Sequence, residues 1–269
     1  MRRIIVVLSD THGGSRYGLC SPDARLTDDD RGEYAPTLTI GQRWLWDAYT
    51  AAIDGVLALA GKSRVDVVHN GDVCQGTRYP DGLMTTRLAD HLAIAAANMA
   101  PWFTHKGVKS LTLVSGTGAH DFGEGSAEEA VACMLGRNVQ MVSHPLLDVD
   151  GLSVDVAHHG PHTGIRAWTE GNVARLYLLD RLMRDDPPAD VYVRSHRHDY
   201  VRVTLHGRYG TADLLVTPSW QLPGSYVRQV TQSASAVVCG LVALEVVDGR
   251  LAGVHPFTDK VDLRKRVTL

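Results

Sequence analysis

Five short clusters of carboxylate and imidazole residues each follow an apolar, β-type run, and this ordering constrains the fold more than any other feature. Ile4–Leu8 leads into Asp10-Thr11-His12, and Val65–Val68 into Asn70-Gly71-Asp72. Leu111–Val114 leads into Gly116-Thr117-Gly118-Ala119-His120-Asp121, Val154–Ala157 into His158-His159-Gly160, and Val191–Val193 into Ser195-His196-Arg197-His198. Groups at the same end of neighbouring strands converge in space although they lie far apart in the chain. Carboxylate and imidazole are hard-to-borderline donors suited to Mn, Fe or Zn. Each cluster alone has an ordinary explanation. Asp-x-His pairs are common, Gly-Asp after a strand is usually a turn, and surface histidines also pair at alternate strand positions. An accidental scatter of surface histidines does not produce the ordered set.

In that order the clusters resemble the motifs of the calcineurin-like metallophosphoesterases: Asp-x-His, Gly-Asp, Gly-Asn-His-Asp/Glu, His-Gly and Gly-His-x-His. The resemblance runs from about residue 4 to about residue 220. It implies an α/β (α+β) fold, a four-layer αββα sandwich of two mixed β-sheets face to face with flanking helices. It also implies two divalent metal ions, Mn first, with Fe, Zn, Ni or Mg as alternatives. The first ion would be held by Asp10, His12, Asp72 and His198. The second would share Asp72 and add His159 and His196. Adjacent strand residues face opposite sides, so only one of His158 and His159 should reach the ions. The resemblance favours His159, next to Gly160.

Two departures from the family pattern matter. Ser195 stands where the family has Gly. In the third motif, Gly118-Ala119-His120-Asp121 aligns without a gap and puts Ala119 at the Asn position, whereas Gly116-Thr117 aligns with a two-residue insertion and puts a hydroxyl there. Either way the amide oxygen that ligates the second metal is missing, and Thr117 becomes a candidate metal or phosphate contact. The Gly-Thr-x-x-His form resembles phosphoesterases encoded by phages and prophages, so the change does not imply an inactive protein.

The activity implied is phosphoric ester hydrolysis by a metal-bridging hydroxide, with two cations neutralising the ester and lowering the pKa of the water. His120 is expected to protonate the leaving oxygen, with Asp121 orienting it. The alternative is that His120 replaces the missing Asn as a ligand. Likeness to the phage forms points to phosphodiesters of DNA, RNA or nucleotides. The alternatives are a phosphomonoesterase or protein phosphatase of the same fold, or a non-catalytic scaffold. A Ser or Cys hydrolase is disfavoured, since the Gly-x-Ser-x-Gly elbow is absent.

Length and composition fit this reading. The 269 residues suffice for one large domain over residues 1–269, with an insertion at about 15–41. The net charge of −3 advertises no global basic field, which argues only weakly against nucleic acid because a local patch would suffice. Cys20, Cys74, Cys133 and Cys239 form no C-x-x-C pair, so a reduced, cytoplasmic protein is expected. No secretory leader is read before the first strand. No run approaches the ~18 apolar residues of a membrane span, so no membrane partner is expected, and nothing in the sequence sets the oligomeric state.

Helices are expected behind a Thr39/Gln42 capping box, over Thr85–Met99, after a Ser126/Glu129 box, and over Gly164–Met183, where Trp168, Leu176, Leu179 and Leu182 read as core. A hairpin turns at Asp248-Gly249. Three segments are candidate walls of the site. Residues 15–41, including Arg31, are either a substrate wall or a solvated loop. Residues 76–82 offer Arg78 and Tyr79 to a phosphate and a base. Trp220 either stacks on substrate or packs in the core.

Overall fold

Strand β1 (Arg2–Leu8) is buried on both faces over most of its length, and the architecture grows from that fact. Ile4, Val6 and Leu8 pack to one side, Ile5 and Val7 to the other, so each side of the sheet needs its own cover. The structure is a computed structural model describing all residues except 31, 81, 122–124, 137, 163–168, 170, 208–209, 225–235 and 265–269. Arg31 and Trp168 lie outside the described residues.

β1 pairs in parallel with β4 (Arg64–Asn70), β4 with β5 (Val108–Val114), and β5 with β6 (Val139–Val142). On the other side, β12 (Ala236–Val247) and β13 (Arg250–Asp262) add an antiparallel hairpin through the expected Asp248-Gly249 turn. Both turn residues take positive φ, 48° and 71°. The second sheet runs β10 (Val201–Gly207), β11 (Gly210–Val216), β9 (Val191–Arg194), β8 (Leu152–Val156), β7 (Leu146–Val149). Its three middle strands are parallel and its two edges antiparallel. Both sheets are therefore mixed.

Ile5, Val7, Val68, Val242 and Leu244 of the first sheet pack on Val154, Val156, Val191, Val193 and Leu215 of the second. The outer face of the first sheet is covered by α1 (Ile40–Ala60), α2 (Leu88–Phe103) and α3 (Ala127–Leu135). The outer face of the second is covered by α4 (Asn172–Arg184), through Ala174 and Leu178. The result is the expected four-layer αββα sandwich. No described helix is long and apolar enough to cross a membrane.

Local chemistry explains the helix ends. Thr39 and Gln42 form the expected reciprocal capping box. α2 starts three residues later than Thr85, because the Thr85 hydroxyl accepts from the Arg87 N–H and donates to Asp90 before the helix begins. Ser126 accepts from the Glu129 N–H, but its own hydroxyl donates to Glu128 instead of completing a box. α4 starts at Asn172 with Gly171 as its left-handed N-cap (φ 78°), and residues 163–168 and 170 of the expected Gly164–Met183 helix lie outside the described residues. Leu176 and Leu179, expected in the core, are exposed, because α4 lies outermost and buries only its Ala174/Leu178 face.

The 15–41 insertion divides in two. Its first half is built into the core, where Cys20, Ala24 and Leu26 pack against Ile94 of α2. Its second half carries an outer hairpin, β2 (Leu26–Asp28) and β3 (Gly32–Tyr34). Trp220 is core and not a stacking platform. It is 1% exposed and packs edge-on to Tyr49 at 5.1 Å.

Candidate metal centre

All five clusters sit at the C-terminal ends of β1, β4, β5, β8 and β9, and the two sheets bring those ends together. The first two turns are zipped by backbone bonds. The Asp10, His12 and Gly13 N–H groups donate to the Gly71, Asp72 and Val73 carbonyls at 3.0, 3.0 and 2.9 Å. Across to the second sheet, the His196 N–H donates to Asp10 Oδ2 at 3.3 Å.

The backbone here is unusual. Asp10 (φ 53°), His12 (46°), Asp72 (57°), His196 (69°) and His198 (53°) all adopt left-handed conformations, and they are five of the eight described non-glycine residues that do. Each such residue costs of order 1–3 kcal/mol and persists only where the surroundings enforce it. Space is equally tight at the glycines between them. A Cβ on Gly71 would lie 2.5 Å from His158 Nδ1, and one on Gly116 2.3 Å from the Asp72 nitrogen.

Ligand-type atoms converge in three overlapping groups, each within 4.8 Å: Asp10/Asp72/His158/His196, Asp10/His12/His198, and His12/Asp72/His120. His198 Nε2 lies 3.1 Å from Asp10 Oδ1, and His158 Nε2 lies 3.1 Å from Asp72 Oδ2. Both ring nitrogens of His12 and Nε2 of His158 are buried without a hydrogen-bond partner. Buried donors or acceptors left unpaired are costly, and the two Nε2 atoms lie 3.7 Å from Asp10 Oδ1 (His12) and 3.1 Å from Asp72 Oδ2 (His158), in a set that suits divalent first-row ions. The residues present fit metal binding.

The expected His159 is a correction. The structure brings His158, not His159, into these groups. Val154 and Val156 face inward along β8, and the same parity carries His158 inward and leaves His159 exposed. His158 Nδ1 donates to the Asn70 carbonyl at 2.6 Å, which aims Nε2 at Asp72. Asp10, His12, Asp72, His196 and His198 are all brought together as the resemblance implied.

In the third motif, it is Thr117 that stands beside Asp72 and His196. The Thr117 N–H donates to Asp72 Oδ1 at 2.6 Å, and its hydroxyl lies 3.2 Å from both Asp72 Oδ2 and His196 Nδ1. His120 Nε2 faces Asp72 Oδ2 at 3.7 Å. Its Nδ1 donates to the Gln75 carbonyl at 2.6 Å, so the orienting acceptor is Gln75 and not Asp121. Tyr79, 52% exposed, has its ring 6.3 Å from that of His120, and the Arg78 guanidinium lies 6.0 Å from the Tyr79 ring.

Charges are tightly interlocked. Burial opposes ionisation of Asp10, but His198 and His12 hold its carboxyl well below the usual range. Asp72 is likewise lowered, burial being outweighed by His158 and His196. Burial disfavours the His158 cation too, yet the adjacent Asp72 and Asp10 carboxylates lift it to about 9. His69, behind the site and bonded through Nε2 to the Thr11 hydroxyl at 2.9 Å, is pushed down by burial to about 4.

Sequence reasoning missed several supports. Asn70 Nδ2 donates to Ser195 Oγ, which pairs with Thr217 Oγ1, both at 2.7 Å. Ser195 thus ties strand ends of the two sheets together. Buried Glu128 accepts from the Val73 N–H, next to Asp72. Only a buried polar residue beside a motif could have flagged these, and sequence does not show burial.

No protein-family model matches the chain, and no curated protein sequence matches it. Among solved structures it is similar to a metallophosphoesterase from Sphaerobacter thermophilus, at 12% identity and a TM-score of 0.39, over 95% of this chain and 88% of that one. It is also similar to the sulfate thiohydrolase SoxB of Thermus thermophilus in complex with glycerol, at 14% identity and a TM-score of 0.42. That match covers 97% of this chain but 56% of the other, so the chain spans little more than half of its length.

Proposed function

We propose that this chain is a metal-dependent phosphoric ester hydrolase that holds two divalent ions, Mn foremost, and cleaves phosphodiesters of nucleic acid or nucleotides. The observation that carries the reading is the convergence of Asp10, His12, Asp72, His158, His196 and His198 from two sheets, with both carboxylates shared between groups. One ion would be held by Asp10, His12, Asp72 and His198, the other by Asp72, His158 and His196. When bound, the ions supply charge neutralisation and Lewis acidity for attack on phosphorus.

The chain's own residues do the rest. Thr117 fixes the Asp72 carboxylate through two bonds. The Gln75 carbonyl holds His120 Nδ1–H and so orients Nε2 toward the position of the leaving oxygen, where it would give up a proton. A second reading makes His120 a ligand, favoured by its place in a group with His12 and Asp72. Tyr79 and Arg78 flank His120 and would meet a base and a phosphate.

Metal analysis of Mn-reconstituted protein, with turnover of chromogenic mono- and diesters and of single- and double-stranded DNA, tests the proposal. About two ions per chain, and diester turnover abolished by chelation, are expected. Asp72→Asn should be the most damaging single change. Metal-free protein after reconstitution, with activity indifferent to chelators, would refute the reading. His120→Ala separates its two roles. An acid lost leaves both ions and slows poor leaving groups roughly 10²–10⁴-fold, nitrophenolate far less. A ligand lost removes an ion and slows both alike.

A further inference from the structure

At the strand ends that carry the centre, a row of polar side chains crosses from one sheet to the other. Asn70 Nδ2, at the end of β4, donates to Ser195 Oγ, just beyond β9, at 2.7 Å. Ser195 Oγ meets Thr217 Oγ1, just beyond β11, at 2.7 Å. Thr217 Oγ1 meets Ser9 Oγ, just beyond β1, at 3.1 Å, and Ser9 Oγ donates to the Pro218 carbonyl at 3.4 Å. The amide nitrogen that opens the row only donates and the carbonyl that closes it only accepts. Each hydroxyl in between can therefore use its one proton in a single direction, with every link satisfied. All four side chains are fully buried.

The row runs alongside the candidate ligands. Ser9 precedes Asp10, Ser195 precedes His196, and Asn70 stands two residues before Asp72. Asn70 Nδ2 also reaches the Ala157 carbonyl, next to His158, at 2.9 Å. Thr217 is the hub, since its N–H also donates to the Arg194 carbonyl at 2.8 Å and ties β11 to the turn that leads into His196. The arrangement has a cost, because Asn70 Oδ1 is buried with no partner among the described residues. Apolar groups of the same shape in place of such pairs are often no less stable, so stability alone does not account for the row. Contact between the apolar faces of the sheets is non-directional, whereas hydrogen bonds fix how one layer sits on the other. Both proposed ions draw ligands from both sheets, and that setting decides whether the ligands meet.

We propose that this buried row, with Thr217 as its hub, positions the two halves of the metal centre, holding Asp10 and Asp72 of the first sheet in register with His158 and His196 of the second. Thr217 and Ser195 are then positioning residues that set the affinity for metal through the ligands beside them. This rests on the metal-binding reading.

Calorimetric titration of Mn into EDTA-treated protein, at a temperature where every variant is folded, tests the proposal. Thr217→Val keeps the shape and loses the hydroxyl, and it should weaken Mn binding roughly tenfold or more. Thr217→Ser keeps the hydroxyl and should stay within about threefold of the wild type. Ser195→Ala cuts the same row, so the double variant should be little worse than either single one. Wild-type affinity in folded Thr217→Val, an equal loss in Thr217→Ser, or additive losses in the double variant overturn the proposal. If Thr217→Val does not fold, Ser195→Ala and Ser9→Ala carry the same test. Absence of Mn binding by the wild-type protein would refute the metal-binding reading instead. The positioning is then read without metal, from hydrogen exchange of the His196 N–H, which donates across the sheets to Asp10 Oδ2 at 3.3 Å. Exchange about tenfold faster in Thr217→Val and restored in Thr217→Ser supports the role of the row, and an unchanged rate refutes it.

Discussion

At the scale of single residues, the distinction between His158 and His159 is the sharpest test of the site. Metal analysis should find about one ion lost in His158→Ala, because that side chain is buried against Asp72, and both retained in His159→Ala, whose ring is exposed. The reverse result would restore the assignment expected from the resemblance. The inward position of His158 was legible in the alternation of Val154 and Val156, but the neighbouring Gly160 pointed the other way. His158 also predicts proton release. Lifted to about 9 in the metal-free protein, it carries a proton at neutral pH that a ligand must give up. Loading at pH 7–8 should release about one proton at this position, and affinity should fall about tenfold per pH unit as pH drops below 9. Calorimetry in buffers of different ionisation enthalpy reads the count directly.

At the scale of elements, the strands that lead into the clusters and the Asp248-Gly249 turn were legible, while β2, β3, β6, β7 and the extent of α4 were not. The strands announce themselves because both faces of β1, β4 and β5 are apolar or alternate cleanly. The α4 region misled because its leucines recur at helical spacing without a partner, and periodicity does not say which side of a helix is covered. The insertion shows the same limit. Its Pro, Gly and Asp content reads as loop, yet Cys20, Ala24 and Leu26 are buried. Removing only the outer hairpin, residues 27–34, should leave metal content intact and lower the melting temperature by a few degrees at most. Replacing Leu19, which is fully buried and bonded through its N–H to the Thr11 carbonyl, with Ala should cost about 2–5 kcal/mol in urea unfolding. A smaller loss at Leu19 than at the hairpin would contradict this division.

At the scale of the whole molecule, stability depends on pH through groups behind the centre. His69 falls from an ordinary value of 6.5 to about 4 on burial, so the unfolded chain binds its proton first on acidification. Its contribution is therefore intact above pH 6.5 and is lost as pH falls towards 4, by about 3 kcal/mol in all. Urea unfolding of EDTA-treated protein should lose part of this slope in His69→Gln, and an unchanged slope would reject it.

The first sheet supplies Asp10, His12 and Asp72, while the second supplies His158, His196 and His198. The two layers are already tied by apolar contact and by the His196–Asp10 and Asn70–Ser195 hydrogen bonds, and bound ions would rivet them more firmly at that edge. A load that shears the sheets apart must then break coordination bonds before the interface yields. A load that peels the β12–β13 hairpin away from β1 never engages the rivet. Mechanical resistance in this protein should thus depend on direction, and chelation should lessen the difference.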